Sequence, residues 1–152
     1  MEMNEMKLCK QAEVGREVIK KAHILLRKDD SATGVLIGTA ALWMLGFDVI
    51  PGDIDFLVTK APSGEGIEAK LAKGSTEGSA TTEIDGIKVD YIPASGLRQR
   101  YLNAGRAYMI DGVPVAALDD ILGLKRLADR AQDRHFFGLW NYGMVGIRRE
   151  VK

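Results

Sequence analysis

Two carboxylates stand two residues apart at the head of an apolar run, Gly52-Asp53-Ile54-Asp55-Phe56-Leu57-Val58; alone they would read as charges on a solvent face, but the apolar flank asks for a compensating reason. The run follows a Pro51-Gly52 turn and reads as a strand over Asp53 to Thr59. On a strand alternate residues share a face, so Asp53 and Asp55 point one way while Ile54 and Phe56 point the other. Like charges are thereby forced together. Aspartate is disfavoured in strands, and carboxylates this close raise one another's pKa unless a cation lies between them. A hard divalent ion with oxygen ligands is the usual solution, with magnesium the first choice and a structural calcium ion the alternative.

The surroundings predict a mixed sheet. Val35-Leu36-Ile37 is a short apolar run bounded by Gly34 and Gly38, which suits a buried strand, and Thr39 to Leu45 reads as a helix closed by Gly46. Upstream, Val14, Val18, Ile19, Ala22, Leu25 and Leu26 recur at helical spacing, predicting one amphipathic helix from about Asn4 to Lys28. Downstream, Ala61 to Ser79 is rich in glycine and serine and surrounds a short helical pattern at Ile67 to Ala72. Asp85-Gly86 and Asp111-Gly112 suit the positive φ values of tight hairpin turns. The first lies between Thr81–Ile84 and Ile87–Ile92, the second between Ala107–Ile110 and Val113–Val115, where Pro114 favours an edge. Leu118 to Ala131 reads as one helix with Asp119 and Asp120 at its positively polarised start, and His135 to Tyr142 as a short continuation. The fold class is therefore α+β: a small mixed β-sheet with helices mainly on one face and the carboxylate face left open.

Length and composition restrict the function classes. A chain of 152 residues suits one domain, residues 1–152. Its 21 basic and 21 acidic residues give no global field to attract nucleic acid or a membrane surface. One cysteine, Cys9, allows neither an internal disulfide nor a cysteine-built zinc site. No signal-peptide pattern is present, nor a run of roughly 20 apolar residues, so a cytoplasmic protein without a membrane partner is expected.

In order along the chain stand Gly38-Thr39 after an apolar strand, Asp53-Ile54-Asp55 on the next, and Asp90 on a later one, within Ile87-Lys88-Val89-Asp90-Tyr91-Ile92. Lys125, Ala128, Arg130 and Asp133 follow at offsets of three, five and eight, preceded by Gly112-Val113-Pro114-Val115. This ordered set resembles the minimal nucleotidyltransferases of the polymerase-beta-like superfamily, particularly the bacterial toxin-type group, over roughly Val35 to Leu139. The resemblance implies transfer of a nucleoside monophosphate from a nucleoside triphosphate (NTP) to a hydroxyl. Two Mg2+ ions, or Mn2+, would sit about 3.5–4 Å apart. It implies Asp53, Asp55 and Asp90 as the metal-binding and catalytic residues, with Gly38, Thr39, Lys125 and Arg130 at the nucleotide. Among acceptors it points to tRNA or protein before a small molecule, and among partners to a second copy of the chain or the other half of a toxin–antitoxin pair. Many relatives carry Arg and Thr four and two residues before the first Asp, where this chain has Val49 and Pro51. Two readings of that departure stay open: a changed acceptor, or a non-catalytic nucleotide-binding or interaction module such as an antitoxin.

Taken singly, each residue has a plainer reading. Gly38-Thr39 could be only a tight turn. Lys125 and Arg130 could belong to a solvated helix face with weak ion pairs. His23 and His135 lack metal-like spacing and read as structural or exposed. Trp43 and Trp140 read as core, with Trp140 also able to stack a base. Arg98, Arg100, Tyr101 and Arg106 form the best acceptor patch, against ordinary surface charge.

Overall fold

Strands and helices intermix along the chain in a computed structural model that describes residues 13–71 and 78–148. Cys9, the part of the first predicted helix before residue 13, and Ala72 lie outside the described residues. Helix α1 (Arg16–Leu26) leads into β1 (Gly34–Ile37), α2 (Gly38–Met44) and β2 (Ile54–Val58). Three strands follow, β3 (Glu68–Leu71), β4 (Gly78–Ile84) and β5 (Ile87–Pro93), then a 3-10 helix (Gly96–Tyr101) and β6 (Tyr108–Ile110). The chain continues through β7 (Val113–Val115) into helices α3 (Leu118–Ala128) and α4 (Ala131–Trp140). The strands make one seven-stranded mixed sheet in the order β3-β4-β5-β2-β1-β7-β6. β2 runs parallel to β5 and antiparallel to β1, while β1 runs parallel to β7.

Period-two alternation sorts the central strands onto two faces. On β2, Ile54, Phe56 and Val58 are fully buried, and on β5 Val89 and Tyr91 join them. This face carries α1: the Tyr91 hydroxyl donates to the Ala22 carbonyl at 2.6 Å, and His23 stacks on Phe56. Burial lowers the pKa of His23, in keeping with a structural histidine. Asp55, Asp90 and Ile92 occupy the other face. Both hairpin turns have the paired positive φ values of a type I′ turn, 51° and 81° at Asp85-Gly86, 52° and 77° at Asp111-Gly112. Helix α1 reaches both, through Lys21 to Asp85 at 2.7 Å and Arg16 to Asp111 at 2.8 Å.

Three expectations need correction. Residues 68–71 form β3 rather than a helix, because pairing with β4 satisfies backbone groups that would otherwise line an open sheet edge. Pro114 is not on the edge strand; β6 is, and β7 lies between it and β1. The only registered pair between β1 and β7 is Leu36 with Val115, so the missing amide of Pro114 interrupts none. The helix predicted to reach Ala131 stops at Ala128. Asp129 takes the left-handed conformation (φ 44°), Arg130 is extended, and α4 begins afresh at Ala131. Aspartate tolerates that conformation better than most residues.

Candidate active site

The antiparallel pairing of β1 with β2 sets Gly38, just past the end of β1, beside the start of β2, and parallel pairing puts Asp90 directly opposite Asp55. Asp53 precedes β2 by one residue. The loop that delivers it, residues 46–52, is tied down by the C-terminal segment: the Asp48 amide donates to Gly146, and the Arg148 amide donates to Gly46 at 2.7 Å. Val49 packs on the core and Pro51 is buried, so neither presents a polar group to the carboxylates.

Register brings the three carboxylates together. One oxygen from each of Asp53, Asp55 and Asp90 lies within 4.8 Å of the others. Burial, then the charges of Asp53 and Asp90, push the Asp55 carboxyl up to about 7, against an opposing pull from Arg130 and Lys88. A divalent cation would relieve this crowding, and the all-oxygen donor set suits a hard ion such as Mg2+ or Mn2+. Gly38 adopts φ +70°, and a Cβ built there would lie 3.3 Å from an Asp55 oxygen. Only glycine combines that backbone with so close an approach at little cost.

These residues line a cleft of about 540 Å³ that also takes in Lys88, Arg98, Lys125 and Arg130. Lys88 was not among the sequence candidates, yet its nitrogen is 3.4 Å from Asp90. Its position two residues before Asp90 on a strand is the signal that could have found it. Ile92, Leu97, Ile121, Leu124 and Leu127 give the cleft an apolar side. Gly123 on α3 leaves room for Tyr101, whose ring would lie 2.4 Å from any Cβ there, and so lets the 3-10 helix pack on α3. A larger cavity, about 770 Å³, lies near Thr33 and Thr59 at the other ends of β1 and β2, and no acidic residue lines it.

Lys125 is buried, unlike a lysine on a solvated helix face. Its nitrogen lies 3.4 Å from the Thr39 hydroxyl, 3.7 Å from Asp133 and 4.9 Å from the centre of the Phe136 ring. Burial lowers its pKa and Asp133 draws it back up. Arg130 donates to both Asp133 oxygens, at 2.8 and 3.2 Å. Burial favours the neutral form of Asp133, but the Arg130 side chain and amide, with the charge of Lys125, hold its carboxyl below the ordinary value. The proposed acceptor patch divides. Arg98 faces the cleft, whereas Arg106 donates to Asp120 at 2.9 and 3.1 Å and to the Arg100 carbonyl. Trp140 packs on Phe136 and Phe47.

No family model matches the chain, and no curated protein sequence matches it either. Among solved structures it is similar to a Thermotoga maritima protein provisionally named a nucleotidyltransferase, with 20% identity and a TM-score of 0.51 over 84% of this chain and 92% of that one. A Helicobacter pylori (H. pylori) protein of the same provisional name gives 16% identity and a TM-score of 0.44, covering 74% of this chain and 59% of that one. A tRNA-processing enzyme gives 16% and 0.40, covering 79% of this chain and 37% of that one. The first similarity, taken with the mixed sheet, shows a nucleotidyltransferase-like fold with an acidic cluster in its cleft.

Proposed function

We propose that the protein is a divalent-metal-dependent nucleotidyltransferase that moves a nucleoside monophosphate from a nucleoside triphosphate to a hydroxyl acceptor. The observation that carries this reading is the convergence of Asp53, Asp55 and Asp90 in one cleft with Lys125 and Arg130. The carboxylates fit Mg2+ or Mn2+: Asp53 and Asp55 would hold both ions and Asp90 the one at the acceptor. When bound, the metal supplies charge neutralisation at the attacking and leaving oxygens and a lower pKa for the acceptor hydroxyl. The chain itself binds and orients. Gly38 lets the triphosphate come close to the backbone. Lys125 and Arg130 supply positive charge for the triphosphate, and Arg98, which also lines the cleft, supplies it for an incoming acceptor. The acceptor oxygen forms its bond to the α-phosphorus as the bond to pyrophosphate breaks, and the hydroxyl proton is lost to solvent.

The acceptor favoured is tRNA or protein, with a small molecule next, recognised by this one domain alone or with a second copy or a toxin–antitoxin partner. A specific observation supports one other reading: the loop before Asp53 presents packed Val49 and Pro51 and no cationic side chain in their place. On that reading the fold binds nucleotide as an interaction module without turnover. Incubation with radiolabelled triphosphates, Mg2+ and total RNA or total protein separates the two. Label transfer that disappears in Asp55→Asn supports the enzyme; nucleotide binding without transfer to any acceptor supports the module.

A further inference from the structure

Lys125 and Asp133 are eight residues apart, and in an unbroken helix their backbones would be separated by about 12 Å along the axis. Here their charged atoms are 3.7 Å apart, because the left-handed Asp129 and extended Arg130 turn the chain between α3 and α4. The same turn folds Arg130 back onto Asp133. That carboxylate receives the Arg130 backbone amide at 3.1 Å as well as two guanidinium contacts. The residue is 1% exposed, while Arg130 reaches outward into the cleft.

We infer that Asp133 is a positioning residue for nucleotide binding, a buried anion that aims both Lys125 and Arg130 at the triphosphate without touching it. The inference rests on the nucleotidyltransferase reading above. Its physical basis is that a long cationic side chain loses rotamer freedom when it binds phosphate, and a fixed partner carboxylate removes that freedom beforehand. The hydroxyl of Thr39, beside Gly38, extends the arrangement to the turn after β1 through its contact with Lys125. Burial disfavours the charged form of Lys125, and the Asp133 charge offsets part of that effect. Asp133 thus sets the direction of both cations.

The test is calorimetric titration with α,β-methylene analogues of the four ribonucleoside triphosphates in the presence of Mn2+. Asp133→Asn should weaken binding roughly 10–100-fold, the range seen for groups that orient direct ligands. Asp133→Glu, which keeps the charge, should recover part of the loss. Placed on a Lys125→Ala, Arg130→Ala background, Asp133→Asn should cost nothing further, because its effect runs through those two cations. A merely structural Asp133 would weaken binding by the same factor on both backgrounds, and that result overturns the inference. So does wild-type affinity in folded Asp133→Asn. Should Asp133→Asn fail to fold, wild-type affinity in Asp133→Glu, whose longer side chain shifts both cations, overturns it equally. Absence of analogue binding by the wild-type protein would overturn the nucleotide reading itself, a result distinct from all of these.

Discussion

Asp55 and Asp133 are both carboxylates largely withdrawn from water in the same part of the molecule, yet their pKa values shift in opposite directions. Asp55 is raised to about 7 by burial and by two neighbouring carboxylates. Asp133 is held below its ordinary value by Arg130 and Lys125, although only 1% of it is exposed. The second carboxylate has its counter-charges within the fold, while the first has mainly like charges beside it. The unbalanced cluster is one that a divalent cation would neutralise, whereas the balanced one beside it already has its cations.

The largest expected effect falls on the unbalanced side. Asp55→Asn should lower transfer on the order of 10³-fold, since the displaced metal contributes several kcal/mol of charge stabilisation, as the labelled-triphosphate assay would read. The same group should set a pH dependence. A carboxyl whose folded pKa lies above its ordinary 3.8 binds more protons folded than unfolded between 3.8 and about 7. Its contribution to stability is therefore complete below about 4 and is lost as pH rises through about 7. Thermal melts without divalent metal should show that decline, and either Mn2+ or Asp55→Asn should flatten it; a decline that survives both would refute the assignment.

On the balanced side, Asp133→Asn should cost about 3–5 kcal/mol of stability in chemical denaturation, the usual consequence of breaking a buried ion pair from one end. Gly38→Ala comes next. Strain at φ +70° should cost about 1–2 kcal/mol, and the new methyl group beside Asp55 should weaken Mn2+ binding measured by calorimetry. The smallest effect should come from the far face of β5. Tyr91→Phe loses one buried hydrogen bond to α1, about 1 kcal/mol, with metal and nucleotide affinity unchanged. A loss of affinity there would mean that the two faces of the strand are not independent.

The acidic side of the cleft was legible in the sequence because it depends on short-range rules. Strand alternation put Asp53 and Asp55 on one face, and Asp85-Gly86 set the register of the strand that carries Asp90. The cationic side was legible only as a spacing. Lys125, Arg130 and Asp133 read as points along nearly continuous helix, and no glycine or proline marks the break at Asp129. Residues 68–71 carry little strand signal for a different reason. Glu68-Ala69-Lys70-Leu71 has no β-branched or aromatic residue, and it forms a strand because the next strand, β4, offers an open edge.

The sequence by itself determined the α+β class, both hairpins, the buried faces of β1, β2 and β5, and which carboxylates could meet. Turn chemistry and hydrophobic period fix these within a few residues of chain. Only the tertiary structure decided that β7 lies inside the sheet, that Arg106 is committed to Asp120 and that Lys88 and Arg98 face the cleft. It also decided that Asp133 lies beneath the two cations. Each of those depends on which distant surfaces pack together, and the burial that follows, more than the identity of any residue, sets the charge that a side chain presents.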